Sequence, residues 1–114
     1  MIITKSFQIH LFIAESGNVP VLEWLKGFNK NERKIIDRDI KYIQYTWPWK
    51  MPLVKPLGNG LMEIRSKLDN RQTRIFFILH EGTIVLLHGF IKKSQQTPSN
   101  ELDIAKKRAK QVKG

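Results

Sequence analysis

A chain of 114 residues, 41% hydrophobic and 10% aromatic, is long enough to bury a core as one domain and too apolar to stay disordered. It holds no cysteine, which excludes disulfides and thiolate metal centres and suits a reducing compartment. The formal charge of +10 is concentrated: seven Lys/Arg accompany five Asp/Glu over residues 1–49, and thirteen accompany five over residues 50–114. Such an excess points to a polyanionic partner, most economically nucleic acid, with an acidic protein or a merely solvated surface as the alternatives.

The start, Met1-Ile2-Ile3-Thr4-Lys5-Ser6, lacks the cationic and apolar regions of a secretory signal. No run approaches the roughly 18 apolar residues of a membrane span. A cytoplasmic protein without membrane contact is therefore expected. Residues 2–13 alternate, with Phe7, Ile9, Leu11 and Ile13 on one face and Ser6, Gln8 and His10 on the other, which predicts a half-buried strand. Gly17-Asn18 breaks it, and Pro20 opens a helix containing Leu22, Trp24, Leu25 and Phe28. Asn29 with Glu32 has the spacing of a capping box for a second helix. There Ile36, Ile40, Ile43 and Trp47 form an apolar stripe, and Asp37 and Lys41 stand at ion-pair spacing.

From Trp47 to Gly60 the prolines and glycines predict an extended loop without regular structure. Trp47 and Trp49, beside Lys50 and Lys55, either stack on unpaired bases or pin this loop to the core. Strands follow at 61–67, 73–79 and 83–91, the last two joined by a tight hairpin at His80-Glu81-Gly82. Thr97-Pro98 signals a last helix, with Leu102, Ala105, Ala109 and Val112 as a narrow apolar stripe among lysines. The order is α+β: a strand, two helices, three antiparallel strands and a basic helix.

Chemistry concentrates on the strands. A period of two places Glu63, Arg65 and Lys67 opposite Met62 and Ile64. Arg74 enters the apolar run Ile75-Phe76-Phe77-Ile78, where a cation needs an anion or a paired carboxylate. A phosphate is one answer, and a structural Glu63–Arg74 pair is the other. Lys92 and Lys93 follow the last strand where the loop to the helix begins, either as ligands of an anion or as charges that deter edge pairing. His88 lies in mid-strand, as a core histidine or a catalyst. Neither a phosphate loop nor a metal-binding spacing is found.

Three segments, Leu57-Gly-Asn-Gly-Leu-Met-Glu-Ile-Arg65, Arg74-Ile-Phe-Phe, and Leu87-His-Gly-Phe-Ile-Lys-Lys93 before Thr97-Pro98, resemble the RelE/ParE superfamily of bacterial toxins, in its phage-derived, HigB-like branch. The resemblance implies a RelE-like fold: a twisted antiparallel sheet of about four strands packed on an N-terminal helical hairpin. It also implies a type II toxin with a cognate antitoxin, often a helix-turn-helix protein that alone contacts operator DNA, and cleavage of mRNA on the ribosome. No metal or cofactor is called for. The catalytic positions it suggests are Glu63, Arg65, Arg74 and Lys93, with His88 as a further proton-transfer candidate. RelE-type lysines on the second strand and a C-terminal tyrosine are lacking. Lys55, Lys67, Lys92, Lys106, Lys107, Arg108 and Lys110 are expected to contact RNA phosphates. A ParE-like gyrase inhibitor and a non-catalytic nucleic-acid-binding module are the other readings, because fold alone does not fix function.

Overall fold

The computed structural model describes residues 6–93 and 95–114. In chain order the elements are β1 (Gln8–Leu11), α1 (Pro20–Leu25), α2 (Lys30–Tyr45), β2 (Val54–Gly58), β3 (Leu61–Lys67), β4 (Gln72–His80), β5 (Thr83–Lys92) and α3 (Ser99–Lys113). The strands form one mixed sheet in the order β1-β5-β4-β3-β2, with β1 parallel to β5 and the other pairs antiparallel. The fold is thus α+β with five strands rather than about four.

Two short turns set the antiparallel register. Asn59-Gly60 joins β2 to β3 and Glu81-Gly82 joins β4 to β5, and all four residues have positive φ (54°, 82°, 50° and 76°). That is the backbone of a two-residue hairpin whose twist matches its strands, and Gly or Asn adopts it at least cost. The first of these hairpins corrects the expectation of an unstructured 47–60 loop. Pro56 is accommodated because β2 lies at the edge of the sheet, where a missing N–H breaks no second ladder. The strand also bulges between Pro56 and Gly58.

The helices follow their local signals. Pro20 occupies the first turn of α1, and the Asn29–Glu32 capping box forms in full, with Glu32 N donating to Asn29 Oδ1 at 2.8 Å and Asn29 N to Glu32 Oε1 at 3.1 Å. Trp47 lies beyond the end of α2 and is 45% exposed, so it does not extend the apolar stripe. Trp49 pins the loop instead: its indole donates to the Ile43 carbonyl at 2.7 Å, and its ring packs edge-on against Phe77. No ion pair joins Asp37 to Lys41 among the described residues. The predicted first strand is shorter than expected, and its residues 2–5 lie outside the described residues. After Leu11 the chain leaves the sheet, Phe12 turns into the core on the opposite face, and Ile13 is 65% exposed.

The sheet has two unequal covers. On one face Ile64, Ile75, Phe77, Ile84 and Leu86 pack against Val21, Leu25, Ile36 and Ile43 of α1 and α2. On the other, Leu61, Phe76, Ile78, Val85, Leu87 and Phe90 pack against Ala105 and Ala109 of α3. The small alanines let α3 approach closely, but a single helix covers only part of that face. Strand alternation carries the same face onward through Glu63, Arg65 and Lys67 on β3, Gln72 and Arg74 on β4, and Lys92 on β5. Among the described residues, no helix lines the hollow at the polar end of this face.

Gly89 on β5 lets α1 settle, because a Cβ there overlaps the Trp24 ring. Gly89→Ala is expected to lower stability by roughly 1–3 kcal/mol through overpacking. Urea unfolding of the two proteins checks this.

Candidate functional site

The polar end of the sheet is built on two facing arginines. Arg65 and Arg74 are direct partners across β3 and β4. The Arg65 N–H donates outward to the Leu53 carbonyl at 2.8 Å, so the pair is of the narrow, non-hydrogen-bonded kind that brings side chains closest. Like charges so placed repel unless a counter-charge intervenes. Glu63, two residues back on the same face, supplies it: its Oε1 lies 3.5 Å from Arg74 Nε and 3.9 Å from Arg65 Nε.

Burial separates the two arginines. Arg74 is 2% exposed, and Glu63 is equally hidden. Arg74 Nη1 donates to the Thr73 carbonyl at 2.9 Å and Nη2 to Gln72 Oε1 at 2.8 Å. Burial pushes its pKa down and Glu63 pulls it back up. The satisfaction is incomplete: Glu63 Oε2 and Arg74 Nε are buried without a hydrogen-bond partner among the described residues. The Arg65 side chain, 29% exposed, is the accessible one.

Above the pair lies a hollow of about 540 Å³ lined by Arg65, Arg71, Gln72, Arg74, Lys92, Lys93 and Gln95. Arg65, Arg74 and Lys93 therefore meet in one place. Arg71 also lines it, but Glu32 holds its guanidinium at 2.9 Å, and it lies 5.1 Å from the Phe28 ring centre. The same bond and the Asn29 amide lower the Glu32 pKa, the amide first. Lys92 is half-buried, and its pKa is lowered by desolvation first and then by Arg74 and Arg65. Among the described residues no group of acidic, histidine or cysteine side chains is placed to hold a metal ion. Among them, too, no helix is long and apolar enough to cross a membrane.

The remaining residues singled out from the sequence lie elsewhere or at the rim. Lys55 sits on β2 opposite Glu63, and Lys67 ends β3; both are exposed. His88 is outside the hollow, beneath α3. Its Nε2 lies 3.2 Å from Glu101 Oε2, and Arg108 Nη1 lies 3.3 Å from its Nδ1. Since a guanidinium only donates, Nδ1 accepts and Nε2 carries the proton toward Glu101. Arg108 also donates to the Leu87 carbonyl at 2.8 Å and lies 5.6 Å from the Phe12 ring centre. It fastens α3 to the sheet. Lys106, Lys107 and Lys110 are exposed on that helix, away from the hollow.

Arg71, Gln72 and Gln95 escaped the sequence reading. Gln72 was legible by register, since it continues the Arg74 face of β4. Arg71 precedes the strand, and although Asp69-Asn70 marks the turn, nothing in the sequence pattern brings the Arg71 side chain to the hollow.

A family model described as Phage derived protein Gp49-like (DUF891) matches residues 23–110. No curated protein matches the chain.

His88 makes the seating of α3 sensitive to acid. Burial, the largest influence, and Arg108 hold its pKa below 6.5, while Glu101 raises it. As pH falls through the unfolded value of 6.5, the unfolded chain binds the proton first, so stability present above that pH is lost on the way to the folded pKa. Thermal midpoints measured from about pH 7 to about pH 5 are expected to fall more steeply for the natural protein than for His88→Gln.

Proposed function

We propose that this chain, which belongs to the phage-derived Gp49-like family, is the toxin of a toxin–antitoxin pair and cleaves messenger RNA on the ribosome. The observation that carries this reading is the cationic hollow over the buried Glu63–Arg74 pair. RNA brings its own nucleophile, the 2′-hydroxyl next to the scissile phosphate. The protein has then to hold that hydroxyl in line with the leaving 5′-oxygen, neutralise charge on the phosphoryl oxygens, and move protons. The products are a 2′,3′-cyclic phosphate and a 5′-hydroxyl.

Arg65 is assigned the phosphoryl oxygens, because its fork is accessible and stays charged. Lys93, exposed at the rim, adds a second cation and is assigned the proton given to the leaving 5′-oxygen. Arg74 contributes positive potential from below and orients Gln72 rather than touching RNA. Lys92 is the assigned proton acceptor, since desolvation and two guanidinium groups enlarge its neutral fraction. Glu63, held between cations, serves to position Arg65 and Arg74. Lys55 and Lys67 extend the phosphate track. Lys106, Lys107 and Lys110 stand as anchors for ribosomal RNA, where each contact adds salt dependence rather than sequence choice.

The finer kinship, with RelE and HigB toxins, rests on the sequence segments within residues 57–98. It carries the further parts of the proposal: action in the cytoplasm and neutralisation by a helix-turn-helix antitoxin.

The test is expression without an antitoxin, with mapping of new RNA 5′ ends, followed by cleavage on programmed ribosomes. The natural protein is expected to cut within translated frames. Arg65→Ala should lose about 100-fold or more in rate, the scale of a removed oxyanion donor. With Lys92 as base, kcat/KM rises with pH up to its lowered pKa, and Lys92→Met removes that limb. DNA damage with intact messages would instead support gyrase inhibition.

A further inference from the structure

A second hollow adjoins the first. It has a volume of about 410 Å³ and shares Arg65, Gln72 and Arg74 with it. Beyond these, Asp39, Ser66 and Lys67 line it. It opens where β2 stops pairing: the last β2–β3 partners on that side are Val54 and Ile64, followed by the Arg65 N–H to Leu53 carbonyl bond. By strand alternation the Lys67 N–H and C=O point to the same open edge.

Two features of this hollow have no part in the phosphate chemistry. Asp39 is 8% exposed on α2, an uncommon position for a carboxylate. Among the described residues only its Oδ1 is engaged, by Arg38 Nε at 3.3 Å and Nη2 at 3.2 Å, and the Arg38 side chain is itself 69% exposed. Ser66 is 2% exposed, and its hydroxyl has no hydrogen-bond partner among the described residues. A buried hydroxyl left unpaired in this way is unfavourable, so a ligand that bonds to it gains.

We infer that this second hollow is a nucleobase subsite for a guanine flanking the scissile phosphate, read by Asp39 and Ser66. The inference rests on the reading of the first hollow as a phosphate site, because Arg65 is common to both. Asp39 offers only acceptors. Of the four bases, guanine alone presents two donors side by side, its N1–H and N2–H, on the Watson–Crick edge. Adenine and cytosine place an acceptor beside their amino group, and uracil flanks its single N–H with two carbonyls. The exposed Arg38 fork holds Asp39 by long bonds, and an incoming base displaces it readily. The Ser66 hydroxyl, without a partner of its own among the described residues, meets a further polar atom of the base, and the open Lys67 backbone offers one more donor and acceptor.

Amide chemical-shift titration of the whole protein with guanosine 3′-monophosphate and adenosine 3′-monophosphate tests the subsite without requiring catalysis. The expected result is shifts at Asp39, Ser66 and Arg65, with guanosine monophosphate bound about tenfold more tightly. Asp39→Asn should bring the ratio toward one. Ser66→Ala, which removes only a hydroxyl, should reduce it and still decides the matter if the Asp39→Asn variant fails to fold. Equal affinity for the two nucleotides, shifts confined to other surfaces, or ratios unchanged in both variants overturn the assignment. In parallel, cleavage on ribosomes programmed with codons that differ at one base should favour guanine in the natural protein and lose that preference in the variants. If no codon is cut, the nuclease proposal fails while the titration still decides the base subsite.

Discussion

The architecture of the candidate site turns on a carboxylate and a guanidinium buried together in the middle of a sheet. Taking Glu63 and Arg74 out of water costs several kcal/mol for each ion, and their attraction returns this only with good geometry. The geometry here is partial: a 3.5 Å approach, with Glu63 Oε2 and Arg74 Nε left without hydrogen bonds among the described residues. Well-packed apolar residues would serve stability as well. What the pair does that apolar residues cannot is hold a second guanidinium, Arg65, opposite the first on a narrow strand pair.

The unequal covering of the sheet makes that arrangement accessible. One face is packed by α1 and α2, while the other, among the described residues, receives α3 alone, seated through Ala105 and Ala109. Where α3 ends its contact, the same strand face changes from Phe76 and Phe90 to Arg74, Arg65 and Lys92. Arg108, His88 and Glu101 sit at the border and tie the helix to β5. An apolar half that anchors and a cationic half that stays open are thus two ends of the same strands. Desolvation first, and then the neighbouring guanidinium groups, lower the Lys92 pKa, so the surroundings that attract a phosphate also prepare an amine for proton transfer.

Much of this was legible in the residues. The alternation of Glu63, Arg65 and Lys67 against Met62 and Ile64 fixed one strand face, and the lone Arg74 before four apolar residues announced a buried charge needing a partner. The capping box at Asn29 and the stripe on α3 read directly. What stayed hidden depended on tertiary neighbours. Pro56 reads as a strand breaker until its strand is known to be an edge. His88 and Arg108 are 20 positions apart, and only the docking of α3 brings them together. Asp39 looks like any helix-surface acid, and only the folded chain shows it 8% exposed at the edge of a hollow that Pro52 and Leu53 also line. Lys92 and Lys93 are chemically alike in sequence, and register alone sets Lys92 on the Arg74 face.

If Glu63 works by placing Arg65, the two residues act as one unit toward RNA. A double-mutant cycle on cleavage of ribosome-bound message measures this directly, with Glu63→Gln, Arg65→Ala and the double variant compared by kcat/KM. The account predicts that each single change lowers the rate and that the double variant falls no more than about twofold below Arg65→Ala alone. Losses that multiply, so that the double variant shows the product of the two single defects, would contradict it.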